Sequence, residues 1–256
     1  MKEKLDSMKK VFNMLASMHA FTSAFSQSDF FGKLIFLGLF FLSFICWMTL
    51  LYKIWILKEV KKNSSRLLSF IEKNKNNLLK IQLEGVIQNQ LKEIPQPFYK
   101  IFSVIKNKTL EVLEKNRYFI LSQENQAIYL SRDDMDLIEN HLFATIMSQK
   151  ETLDKNVFIL ATITTLAPFI GLLGTVWGIL VMFSGLQMAG NFASNTTVLS
   201  GLSTALATTV LGLLVAIPSL VAHSYIKQTI KTFTCQMQDF GHYLLSTIEL
   251  QYRKVD

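Results

Sequence analysis

Three apolar runs interrupt an otherwise polar chain, and each predicts a membrane helix. Leu34 to Tyr52 reads LIFLGLFFLSFICWMTLLY between Lys33 and Lys53. Asn156 to Gly185 reads NVFILATITTLAPFIGLLGTVWGILVMFSG, and Val198 to Ile226 reads VLSGLSTALATTVLGLLVAIPSLVAHSYI. About 20 apolar residues suffice to cross a hydrocarbon core of ~30 Å. The expected spans are therefore 31–57, about 157–185 and about 198–226, the last two joined by an uncharged loop over 186–197.

The segments between the runs carry helical periodicity. Residues 1–30, with Met8, Val11, Phe12, Leu15, Met18 and His19 at helical spacing, predict an amphipathic helix without the early apolar core and cleavage site of a signal peptide. A polar insert covers 58–132, interrupted at Pro95 and Pro97. Near Ser131, a suitable N-cap with Asp133 in the first turn, a long helix begins. Leu142, Ile146, Leu153, Val157 and Leu160 carry one apolar stripe into the second span, which predicts a single rod over 133–185. Beyond the third span, Ile226, Ile230, Phe233, Met237, Phe240, Leu244 and Ile248 recur every three or four residues. That stripe predicts a helix continuing through 198–256 and packing antiparallel on the helix over 133–156. The expected class is an all-α integral membrane protein with three transmembrane helices, the second and third continuing as long cytoplasmic helices.

Composition agrees, with 50% hydrophobic residues in a chain of 256 and a positive mean hydropathy of +0.30. Few soluble domains show such values. The net charge of +7 is spread over loops, so juxtamembrane lysines account for it and no nucleic-acid partner is expected. Lys58, Lys61, Lys62 and Arg66 follow the first span directly. By the positive-inside rule they place the insert and C-terminus in the cytoplasm and the N-terminus outside. Lys33 and Lys53 are expected to snorkel toward the headgroups, with Trp47, Tyr52 and Trp55 at the same level.

Candidate chemistry is confined to hydroxyls and small residues. Gly171, Gly174, Thr175 and Gly178 share one helical face, and Ala205, Thr209, Gly212 and Ala216 make a second. Such faces let membrane helices approach closely, while hydroxyls hydrogen-bond between them. Pro168 and Pro218 interrupt the backbone ladder inside both spans. Thr175 and Thr209 stand midway through their spans, with Thr204 and Thr208 nearby, and either packing or a wet pore lining uses them. No Asp, Glu, Lys or Arg lies within either span, so a proton path needs a carboxylate from a partner. Cys46 and Cys235 form no metal or disulfide pattern, and His19, His141, His223 and His242 share no ligand spacing. GLLGTVWG lacks the glycine spacing of a dinucleotide loop and the lysine of a phosphate loop. No catalytic site, metal or cofactor is expected, and the chain is not expected to be an enzyme.

APFIGLLGTVWGI (Ala167 to Ile179) and SGLSTALATTVLGLLVAIP (Ser200 to Pro218) resemble the MotA, TolQ and ExbB family of proton-channel subunits, over about the last 110 residues. Three spans with one large insert match the TolQ and ExbB branch. The resemblance implies a bacterial inner-membrane homopentamer around TolR- or ExbD-like single-span partners whose membrane Asp takes up the proton. It further implies a proton-motive-force-driven motor serving outer-membrane transport or envelope integrity, with a TolA- or TonB-like protein downstream. Thr175 and Thr209 match the two pore-facing threonines. Thr204 stands where the family commonly has Glu, and Ser200 where it has Pro, which implies either the partner's Asp as the sole carrier or a divergent branch with a different ion. A non-conducting scaffold of the same fold is the alternative.

Overall fold

The computed structural model describes residues 22–26, 28–73, 95–120, 129–189 and 195–252. Five long helices hold nearly all of them: α1 (Phe30–Lys73), α2 (Pro97–Ile120), α3 (Arg132–Asp154), α4 (Val157–Ala189) and α5 (Asn195–Tyr252). No strand occurs among the described residues. The expected all-α membrane architecture is the one found. Among the described residues, three helices are long and apolar enough to cross a membrane, over Phe30–Ile71, Val157–Gln187 and Gly201–Tyr252. Most of the amphipathic segment expected over 1–30 lies outside the described residues.

The first unit comprises Met1–Leu50 and Asn156–Ser224. Here α4 and α5 pack through atoms that larger side chains would displace. A Cβ on Gly171 would meet the Thr208 carbonyl oxygen at 3.0 Å and the Thr209 Cα at 3.1 Å, and one on Gly178 would meet the Ala205 Cβ at 2.8 Å. On α5, a Cβ on Gly212 would meet the Ala167 carbonyl oxygen at 2.7 Å. The outward surface of α1 is bulky instead: Phe40, Phe41, Phe44 and Met48 are all exposed, as a lipid-facing helix requires.

The second unit comprises Leu51–Lys155 and Tyr225–Asp256. Its α2 starts at Pro97, where the missing N–H costs no helical bond. Its α3 starts with a capping box: the Ser131 hydroxyl accepts from the Asp134 N–H at 3.1 Å, and the Asp134 carboxylate accepts from the Ser131 N–H at 3.0 Å. The expected apolar stripe of α5 is buried at every position from Ile226 through Ile248. Its contacts with α3 run in opposite chain directions. Asp154 pairs with Lys227 at 3.3 Å, a Cβ on Gly241 would meet the Leu142 methyls at 2.7 Å, and the Leu130 N–H donates to the Tyr252 carbonyl at 2.9 Å. Phe98 of α2 sits against Phe233 and Phe240, ring centroids 5.3 and 5.2 Å away.

Two expectations need correction. The rod over 133–185 is two helices: α3 stops at Asp154, and α4 starts at Val157. Between them Asn156 has φ 66°, the left-handed region that Asn tolerates better than other side-chain-bearing residues. The second span therefore does not continue as an unbroken helix, whereas the first does, since α1 runs on to Lys73. Lys53 does not snorkel. Only 4% exposed, its ammonium donates to the Leu153 carbonyl at 2.9 Å. That carbonyl lies in the last turn of α3, where the helix leaves acceptors without intrahelical donors.

Candidate ion path along the second and third spans

Helix α4 is continuous across Pro168 and α5 across Pro218, each proline depriving the carbonyl four residues earlier of its donor. Polar side chains join the two helices at two levels. At one, the Ser219 hydroxyl, fully buried beside Pro218, donates to the Leu160 carbonyl at 2.9 Å and lies 3.2 Å from the Thr164 hydroxyl. At the other, three turns along both helices, the Thr209 hydroxyl donates to the Gly171 carbonyl at 3.0 Å. Thr208 donates to that carbonyl at 3.3 Å and to Ala205 at 2.7 Å. The absent side chain of Gly171 is what lets both hydroxyls come so near.

The expected site residues separate by exposure. Thr208 is 2% exposed and belongs to the seam. Thr204 and Thr209 are half-buried. Thr175 is also half-buried, and its hydroxyl donates to Leu172 of its own helix at 2.7 Å rather than across the seam. Its hydroxyl is thus held locally, within α4. Gly171, Gly174 and Gly212 are buried, Gly178 and Pro168 half-buried, and Pro218 exposed. A Cβ added at any of the four glycines would press on the facing helix.

Two features escape sequence reading. The Ser219 and Thr164 contact joins residues 55 apart and carries no local periodicity. The second is a carboxylate: Asp29, just ahead of α1, accepts from the Trp177 indole N–H at 2.8 Å. Trp177 lies inside the GLLGTVWG stretch. Its one legible signal is an indole N–H in an apolar run, a donor that seeks an acceptor.

Fold and site together define an integral membrane protein of α-helices whose second and third spans share a glycine-fitted, hydroxyl-bonded seam without charged residues. The model of the MotA/TolQ/ExbB proton channel family matches residues 111–239, which contain that seam, and the chain belongs to this family. Membership, with the apolar helices, places it in the bacterial inner membrane. The chain is similar to the biopolymer transport protein ExbB of Pseudomonas putida, 28% identical over 218 residues, 84% of this chain and 59% of the relative. It is also similar to the ExbB of Helicobacter pylori strain J99, 49% identical over 72 residues, 28% of this chain and 49% of the relative. To the Tol-Pal system protein TolQ of Haemophilus influenzae it is 36% identical over 94 residues, 37% of this chain and 40% of the relative. The chain thus spans about two fifths to three fifths of the length of these relatives.

Proposed function

We propose that this chain is the channel-forming stator subunit of a TolQ- or ExbB-like motor driven by the proton motive force. The observation that carries the reading is Thr175, half-buried at the margin of a seam whose two spans hold no Asp, Glu, Lys or Arg. Such a surface offers polar atoms to a mobile proton but no resident acid, so a TolR- or ExbD-like single-span partner supplies the carboxylate. In this reading the subunits form a homopentamer around the partner, with Thr175, Thr209 and Thr204 facing the ring and Thr208 supporting them. The N-terminus is periplasmic and the C-terminus cytoplasmic. Proton passage turns the partner and moves a TolA- or TonB-like protein that serves outer-membrane transport or envelope integrity. No catalytic chemistry and no cofactor are involved. Each proton crossing 100 mV supplies about 2.3 kcal/mol, enough for a few protons to reset helix interfaces.

A scaffold reading has one observation in its favour. The Thr208 and Thr209 hydroxyls both donate to the Gly171 carbonyl, an arrangement that packs helices without any channel. Co-reconstitution of the chain with its single-span partner in liposomes separates the two. The stator reading expects proton flux under an imposed potential, reduced several-fold by Thr175→Ala and Thr209→Ala while the complex still assembles. Absence of flux from the parent complex leaves the scaffold.

A further inference from the structure

The Asp29 carboxylate divides its two oxygens between two helices. Oδ1 accepts from the Gly32 N–H at 3.0 Å and caps α1, while Oδ2 accepts from Trp177 Nε1 of α4 at 2.8 Å. Phe31, two residues on, lies against the same indole with ring centroids 4.4 Å apart. The indole is therefore held at its edge by a charge-assisted hydrogen bond and on its ring by an aromatic contact. An amide at position 29 keeps one acceptor and turns an NH2 toward the indole N–H, so only a carboxylate serves both donors.

The same turn of α4 is gripped from another direction. Gly174 and Gly178 flank Trp177 in sequence and lie against Thr208 and Ala205 of α5. Thr175 belongs to this turn, about 200° around the helix from Trp177 at 100° per residue. A seam of small residues sets how close two helices come. A large side chain anchored at its tip sets rotation, because its bond acts far from the helix axis. We propose that Asp29 is a positioning residue: by anchoring Trp177 it sets the rotation of α4 and thereby the direction Thr175 faces. The inference rests on the reading of Thr175 as a path residue.

The test uses the full chain in native membranes, with Cys46 and Cys235 replaced by Ser and a reporter introduced as Thr175→Cys or, for control, Thr165→Cys on the exposed side of α4. The rate of labelling by a charged methanethiosulfonate is measured. Asp29→Asn or Trp177→Phe is expected to change the rate at position 175 by about three- to tenfold, the shift that loss of a charge-assisted hydrogen bond produces. Combining them is expected to add nothing, Asp29→Glu to return the rate toward the parent's, and position 165 to stay unchanged. Unchanged rates at 175, additive changes, or an equal change at 165 would each overturn the proposal. Proton flux in the reconstituted complex is read separately. A parent without flux defeats the channel reading and leaves the labelling result for Asp29 standing, whereas flux with unaltered labelling defeats only the role of Asp29.

Discussion

Helix α5 builds two seams with opposite chemistries. Toward α4 it offers Ala205, Thr208, Thr209, Gly212 and Ser219; toward the polar unit it buries the stripe from Ile226 to Ile248, with Phe233 and Phe240 against Phe98 of α2 and Gly241 against Leu142 of α3. The solvent explains the difference. Among lipid tails, burying Leu against Leu gains little over leaving it in lipid, so association depends on close backbone approach and on hydroxyls that find carbonyls. Where water is the alternative, burial of large apolar side chains drives packing, and polar atoms cap and align. One continuous helix thus changes its packing chemistry near Ser224, where the two units divide.

The contrast is broken hardest by removing bulk from the polar unit. Phe98→Ala takes away a ring that is 2% exposed and contacts two others. We expect a loss of about 3–5 kcal/mol, read as earlier thermal unfolding of the polar unit by protease susceptibility. The opposite change breaks the α4 and α5 seam: Gly212→Ala sets a methyl 2.7 Å from the Ala167 carbonyl oxygen, a backbone atom that cannot swing aside. It is expected to cost about 1–3 kcal/mol in detergent-solubilised protein. Gly185→Ala, which meets nothing within 4 Å, is the matched control and is expected to be silent or slightly stabilising. Equal effects of the two alanines would remove the argument from close approach.

What the chain discloses before folding follows the same division. The three spans and the α5 stripe are legible because each is a periodic, local property of residues a few positions apart. The glycine faces are legible for the same reason. Three things resist. The stop at Asn156 is hidden because apolar periodicity runs straight through it from Leu153 to Val157, while one backbone angle decides the break. Lys53 resembles a headgroup anchor until α3 presents a carbonyl from 100 residues away. Asp29 and Trp177 are 148 residues apart and share no pattern, so their pairing is a tertiary fact alone. At the candidate path, residue types are legible, but two tertiary facts are not: Thr208 and Thr209 both bond to the Gly171 carbonyl, and Thr208 is the more deeply buried of the two.

The smallest effect sharpens the polar half of the comparison, where a carboxylate aligns helices rather than filling space. Partial burial pushes the Asp134 carboxyl up. Hydrogen bonds from the Ser131 N–H and the Asn116 side chain, then the Ser131 side chain and the Lys115 charge, together outweigh it and hold the group below its ordinary 3.8. A carboxyl depressed on folding lends stability that is fully present above its unfolded value and is lost as pH falls through the lower folded value. Asp134→Ala should therefore lower stability by about 1 kcal/mol at neutral pH, the usual worth of a capping interaction. The gap to the parent should close as pH drops below about 3.8, through the range in which the parent carboxylate takes up its proton. Paired melting curves at pH 7 and under acid conditions measure it. A gap that stays constant with pH would mean that Asp134 acts through its size, and that the start of α3 relies on the Ser131 hydroxyl alone.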